Sequence, residues 1–380
     1  MQLGADHVVV RVPATSANLG PGFDALGLAL ALYDELEVRL VATDDVVVDV
    51  YGEGAGEVPT GEDHLVVRAL RRTLEVAGAP QTGLRLTCSN AVPHGRGLGS
   101  SAAAVVSGIV AGRALLADPS SLDATAVLEL ATEFEGHPDN AAPAIRGGAT
   151  VAWTGPDGPR ATGLQLDPRV TATVLVPTSR LATSHARSVL PETVPHADAA
   201  FTAGRAALLV EALARRPELL LEATEDRLHQ QYRAGVMAAS AELVRALRAE
   251  GFAATVSGAG PTVLVLAAEA RLPELDGALA GLVDAMAGRS RLGGRLRRGL
   301  RRGFGPGRGG RVLELLAHRA LDRRLERRGR RAHVLTGLLQ RGEELLARLP
   351  ELLSERGDTN LCHISPVSAL PEAGRKDRRQ

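Results

Sequence analysis

The stretch Val92-Pro93-His94-Gly95-Arg96-Gly97-Leu98-Gly99-Ser100-Ser101-Ala102-Ala103 constrains the fold more than any other part of the sequence. It joins a glycine-rich loop to the start of an apolar helix, and residues 84–87 read as a short strand leading toward it. Strand, glycine loop and helix in that order make an anion site. Glycines let the backbone approach a charged group and take positive φ, while the free N–H groups and positive dipole end of the helix favour negative charge. The hydroxyls of Ser100 and Ser101 then stand where the Mg2+ of a nucleotide would be. A Walker P-loop is excluded, because Ser100 follows the last glycine and Lys376 is the only lysine of the chain. A dinucleotide fingerprint is missed by one residue, since Ser100 holds the register of the third glycine. The plainer alternative is a glycine-rich turn whose helix is capped by Ser100 or Ser101.

A chain of 380 residues can bury a substantial core in two or three domains. Aromatic residues make up only 2%, so that core falls to Ala, Val and Leu. There is no charged-then-apolar leader, and the most apolar helix, 102–117, is interrupted by Arg113 and too short to span a bilayer. A soluble, cytoplasmic protein is expected. Cys88 and Cys362 stand alone without metal-ligand spacing, which argues against a disulfide framework or a zinc site. The net charge of zero hides a division: 21 basic and 34 acidic residues through Gly288, then 23 basic and 10 acidic from Arg289 onward.

Alternation and β-branched runs predict strands at 8–13, 35–41 and 46–50, and an apolar stripe predicts a helix at 64–77. A second helix is expected at 122–135, ended by Gly136, His137 and Pro138, and a strand at 147–153. The strong strand at 170–176 opens a second domain. Helices at 199–214, 217–228 and 238–250 follow, then a glycine-punctuated strand at 254–266. The expected division is 1–168, 169–288 and a basic Arg/Gly-rich tail at 289–380. Within that tail 289–310 reads as linker or disorder, and 312–328 and 334–353 as helices with basic faces.

Three separated segments share one pattern. Pro13-Ala14-Thr15-Ser16-Ala17-Asn18-Leu19-Gly20-Pro21-Gly22-Phe23-Asp24, the loop at 93–103 and Ser257-Gly258-Ala259-Gly260-Pro261-Thr262 resemble, in order and spacing, the motifs of the GHMP small-molecule kinases. The similarity is greatest to the homoserine-phosphorylating members, through 18–24 and Glu135-Gly136-His137-Pro138-Asp139-Asn140-Ala141-Ala142-Pro143-Ala144, and it covers about residues 8–283. It implies the GHMP kinase fold, an α+β architecture. An N-terminal ribosomal-protein-S5-like α/β nucleotide domain would precede a C-terminal ferredoxin-like α+β domain, followed here by an atypical Arg-rich tail. It also implies ATP and Mg2+ as cofactors, L-homoserine as substrate on the route to threonine, and a homodimer.

Site residues follow from the same resemblance. The loop from Pro93 to Ala103 would bind ATP, and Ser101 and Glu129 would hold Mg2+, with Glu133 one turn further along as the competitor. Asp24 offers a carboxylate to the substrate ammonium, and Arg187 and Arg233 offer forks to its carboxylate. Asn18, His137, Thr183 and Gly260 complete the expected substrate set. Without the resemblance, Glu129 reads as a solvated helix glutamate and either arginine as a surface ion-pair partner. Related mevalonate and galactose kinases place an Asp near the reacting hydroxyl, whereas the matching residue here is Asn140, which cannot take a proton as a carboxylate does. Asn140 and His137 are therefore the catalytic candidates, Asn140 as an orienting group, with the hydroxyl proton passing to the γ-phosphate. Asp139 is expected to turn away.

Gln231 and Ala238 depart from the prolines expected in this family, near Arg233. The larger departure is the tail, where two readings stay open: the product of a shifted reading frame, or a basic appendage that contacts nucleic acid through phosphates. Phe304 is the single aromatic of the 289–310 stretch and the segments after it, so base stacking is poorly provided for. No membrane partner is expected. The alternative activity is phosphorylation of another small alcohol, of the mevalonate or shikimate type.

Overall fold

Alternating apolar residues drive the first half of the chain into a sheet. The computed structural model describes residues 2–289 and 311–314. In β1 (His7–Asn18), Val10 and Val12 are buried while Val9 and Arg11 face solvent, as period-two patterning requires. It pairs antiparallel with β2 (Gly22–Val41), a strand of 20 residues of which only the 35–41 end was expected. β3 (Val46–Gly52) lies parallel to β4 (Gly83–Asn90), and α1 (Leu65–Val76) connects them. β5 (Ala149–Gly155) and β6 (Gly158–Leu164) form a hairpin on the other end of β2. The order along the sheet is β3-β4-β2-β5-β6, with β1 beside β2.

Against this sheet packs α2 (Ser100–Leu115), the helix that the glycine loop feeds. Its weak amphipathicity has a structural reason: Ala102, Ala103, Val105, Val106, Ile109 and Leu115 are all buried, so it is apolar on several faces. Gly108 lets α1 come close, since a Cβ there would sit 2.4 Å from the Val66 carbonyl oxygen. α3 (Ala124–Glu135) starts after Asp123, whose carboxylate accepts the Ala126 N–H, and stops at Gly136 with φ 80. The short α4 (Ala141–Arg146) follows.

The second sheet begins at β7 (Val170–Val176). After α5 (Thr183–Ser188), α6 (His196–Ala214), α7 (Leu220–Ala223), α8 (Gln230–Arg233) and α9 (Ala238–Ala249), the chain forms the antiparallel pair β8 (Ala253–Val256) and β9 (Val263–Ala268). α10 (Leu272–Arg289) and β10 (Arg311–Glu314) complete the described elements, and the sheet order is β10-β7-β9-β8. One hydrophobic cluster joins the halves: Ala14, Leu19, Leu26 and Leu98 share it with Val174, Leu209, Leu213 and Leu264. Each fully buried leucine of this kind contributes about 2 kcal/mol.

Two expectations need correction, and one strand was not foreseen. The helix at 217–228 breaks into a 3-10 turn at Pro217–Leu219, α7, and a turn before α8, because Asp226 accepts the N–H groups of Leu228, His229 and Gln230 and starts a new helix there. The helix at 312–328 opens instead with a strand, since β10 pairs parallel with β7 over Arg311–Glu314. β6 went unread because Gly158-Pro159-Arg160-Ala161-Thr162-Gly163-Leu164 carries almost no β-branched residues; its pairing with β5 overrides that weak propensity. Helix 334–353 and most of 289–310 lie outside the described residues.

Candidate active site

Gly99 precedes α2 at φ 67, and no side chain caps the helix. The serine cap expected under the plainer reading is absent, so Ser100 and Ser101 leave the first-turn N–H groups free to meet an anion. The loop is pinned from two sides. Thr15 donates its N–H to the Leu98 oxygen at 3.0 Å, and the Ser257 hydroxyl donates to the Gly97 oxygen at 2.6 Å. Thr262 N–H reaches the Arg96 oxygen, Gly258 N–H reaches the Ala17 oxygen, and the Asn18 amide donates to the Gly258 oxygen at 2.9 Å. Gly97 has no alternative in this contact: with φ 75, its Cβ would lie 2.3 Å from the Ser257 oxygen. The three motifs at 13–24, 93–103 and 257–262 therefore meet at one place.

Strain collects there too. Among the described residues, the non-glycine residues with positive φ are Asn18, Leu19 and Asp24, all in the first motif. Asn18 Oδ1 accepts the Asp24 N–H at 3.0 Å and so holds the aspartate in its unusual conformation. Arg187, on α5, forms a bidentate pair with Asp24 at 2.8 and 3.2 Å. Its Nε is buried without a partner.

Arg233, expected to offer a fork to the substrate carboxylate, is already engaged through two of its nitrogens. It is 2% exposed, and its Nε donates to the Ala186 oxygen while Nη1 reaches His229 Nδ1 and the Gly258 oxygen. Burial, with help from Arg187, lowers its pKa. Two of its three nitrogens thus tie α5 to the third motif. Phe23 lies between the arginines, 5.5 Å from the Arg187 guanidinium and 5.4 Å from that of Arg233, and stacks on His229. Thr183 stands exposed at the start of α5, and Gly260, buried at φ 83, closes the third motif.

Asn140 is brought to the same place. Its Oδ1 accepts the Thr15 hydroxyl at 2.9 Å, which fixes its amide, and its Nδ2 faces Asp139 Oδ1 at 3.4 Å. Asp139 is buried, 4% exposed. Burial first, then the Asp24 charge, push its carboxyl up to about 6, against the opposing pull of His137, the Asn140 N–H and Arg187. His137 is half-buried within electrostatic reach of Asp139 and Glu135.

The expected metal pair is not assembled. Glu129 points to Arg160 at 3.3 Å and is 45% exposed, and Glu133 pairs with Arg72 at 3.0 Å. The carboxylate beside Ser101 is Glu135, whose Oε1 accepts the Ser101 hydroxyl at 2.5 Å. The reason is angular: at about 100° per residue, positions 129 and 135 lie on different faces of α3. Burial raises the pKa of Glu135, with the Ser101 hydrogen bond opposing. No group of three or more His, Cys, Asp or Glu able to hold a metal occurs among the described residues. A hydroxyl and one carboxylate still suit Mg2+, which keeps waters and takes its remaining ligands from phosphate. Glu135, Thr15 and Phe23 lie within the motifs but have no role legible in the sequence; the helix face that meets Ser101 is set by packing of α3 on α2.

Similarity to known proteins follows the same residues. Residues 64–148 match the GHMP kinases N terminal domain, and residues 206–279 match GHMP kinases C terminal. The homoserine kinase of Clavibacter michiganensis is 57% identical over 263 residues, 69% of this chain and 83% of that protein. That of Streptomyces coelicolor is 53% identical over 285 residues, 75% of this chain and 89% of its own. The crystal structure of homoserine kinase from Cytophaga hutchinsonii superposes with a TM-score of 0.67 at 27% identity, covering 75% of this chain and 93% of that one. With three motifs folded onto one another and more than half the aligned residues shared with such enzymes, the chain belongs to the homoserine kinase family of the GHMP kinases.

Proposed function

We propose that the chain transfers the γ-phosphoryl group of ATP to the side-chain hydroxyl of L-homoserine, giving O-phospho-L-homoserine and ADP, as a cytoplasmic step toward threonine. The observation that carries this reading is the Asp24–Arg187 pair beside the glycine loop. A zwitterionic head group offers one opposite charge to each member, so it can exchange into the pair and keep both charges matched. The unpartnered Arg187 Nε supplies one more donor for its carboxylate. Asn18 holds Asp24, and Arg233 holds α5 and the third motif around them. Thr183, His137 and Gly260 complete the substrate side.

Phosphoryl transfer needs alignment and charge neutralisation more than covalent help. The loop N–H groups and the α2 dipole receive the phosphates. Ser101 and Glu135 would hold Mg2+, which would supply charge neutralisation for the nucleotide phosphates. Asn140, its amide fixed by Thr15, orients the substrate hydroxyl. The new O–P bond forms as the bond from Pγ to the bridging oxygen breaks, ADP leaves, and the hydroxyl proton passes to a γ-phosphoryl oxygen. The same reading assigns the N-terminal sheet with its helices to a ribosomal-protein-S5-like domain and the second sheet to a ferredoxin-like one, in a homodimer.

A coupled ADP-release assay with homoserine, mevalonate, shikimate and galactose tests the assignment. ADP release with homoserine alone is expected; turnover of another of these alcohols at comparable kcat/KM would replace the substrate.

A further inference from the structure

Arg96 sits inside the glycine loop, between two glycines of positive φ, and its guanidinium is poorly used. The side chain is only 15% exposed, its Nε is buried without a hydrogen-bond partner, and its one ion-pair partner, Glu53, is 3.7 Å away, beyond hydrogen-bond reach. Glu53 is equally underused: its other oxygen meets the His94 N–H at 3.5 Å. A nearly buried cation with an orphaned donor is costly unless a good acceptor reaches it. A second arginine stands close by. Arg180, on the connection from β7 to α5, packs against Gly95 and is held by Glu57, while the Leu181 N–H donates to the Gly95 oxygen at 2.8 Å. Two arginines and two glutamates thus lie beside a loop that has no lysine.

We propose that Arg96 binds a phosphate of the nucleotide and that Glu53 is the anion it gives up to do so. This rests on the loop being the ATP site. Phosphate offers the guanidinium the close, two-point acceptor that Glu53 does not, and exchange spares the buried charge from standing unpaired. The loop then carries in Arg96 the fixed positive charge that a Walker loop places on its lysine. Arg180 and Glu57, half exposed, contribute little to this binding because solvent screens them.

Calorimetric titration of the full chain with adenosine and with AMP-PNP, both with Mg2+ present, tests the assignment. Arg96→Gln is expected to weaken AMP-PNP binding about tenfold and to leave adenosine within about twofold, since a charge-assisted hydrogen bond is lost. Glu53→Gln is expected to tighten AMP-PNP about threefold by removing the competing anion, again without effect on adenosine. Equal losses for both ligands in Arg96→Gln, or no loss for AMP-PNP, would overturn the proposal. So would unchanged or weaker AMP-PNP binding by Glu53→Gln, which decides alone if Arg96→Gln fails to fold by thermal melting. Failure of the wild-type chain to bind AMP-PNP at all would be a different result and would remove the nucleotide reading itself.

Discussion

Asp24 and Arg187 hold each other at hydrogen-bond distance in a site that a charged substrate must enter. The pair is partly open to solvent, so either substitution should act mainly through the lost partner for the substrate head group. Asp24→Asn is expected to lower kcat/KM for homoserine by about 100-fold while the KM for ATP stays within about twofold, read from initial rates at varied substrate. The pH behaviour of Asp139 gives a second prediction. Its carboxyl is raised to about 6 by burial and by Asp24, from an ordinary value near 3.8. The folded chain therefore holds this proton where the unfolded chain has released it, and the stabilisation is full below pH ~4 and lost as pH rises through ~6. Asp139→Asn keeps an acceptor for the Asn140 N–H and carries no titration. The stability of the wild type relative to this variant should fall by roughly 1–3 kcal/mol between pH 4 and pH 7, measured by urea unfolding. A pH-independent difference would contradict the assignment.

At the level of elements, the glycine loop depends on the turn between β8 and β9 as much as on α2. Gly97→Ala forces a Cβ to within 2.3 Å of the Ser257 oxygen and 2.8 Å of the Gly260 nitrogen. The expected outcome is a loss of roughly 1–3 kcal/mol in stability together with a raised KM for ATP, checked by denaturant unfolding and steady-state kinetics. β1, β3, α1 and β7 were legible because burial on one face imposes a period on the residues themselves. The meeting of the three motifs was legible only through family resemblance, since nothing local in Ser257 announces a partner at Gly97. Glu135 was displaced by Glu129 because both sit on one helix and only the contact of α3 with α2 selects the face. Arg233 has the residue type of a ligand fork, yet burial turned most of it into a brace.

The whole chain divides sharply in charge. Residues through Gly288 contain all three motifs and carry a net charge of −13, while the remainder carries +13. A chain truncated after Gly288 is expected to phosphorylate homoserine at a rate within about threefold of the full chain and to lose any retention on heparin, since the phosphate-binding cations go with the tail. Loss of activity on truncation would show instead that β10, along the edge of β7, is needed by the fold. An intact-mass measurement on the natural protein separates a shifted reading frame from a genuine appendage. No helix among the described residues is long and apolar enough to cross a membrane. The bonds that join the motifs also bear on how the protein is made. Ser257 closes on Gly97 across a separation of 160 residues. At ordinary synthesis rates the ribosome needs about ten to thirty seconds to travel that far. During that interval the nascent chain carries the glycine loop without the turn that pins it, so the three motifs meet only late in synthesis.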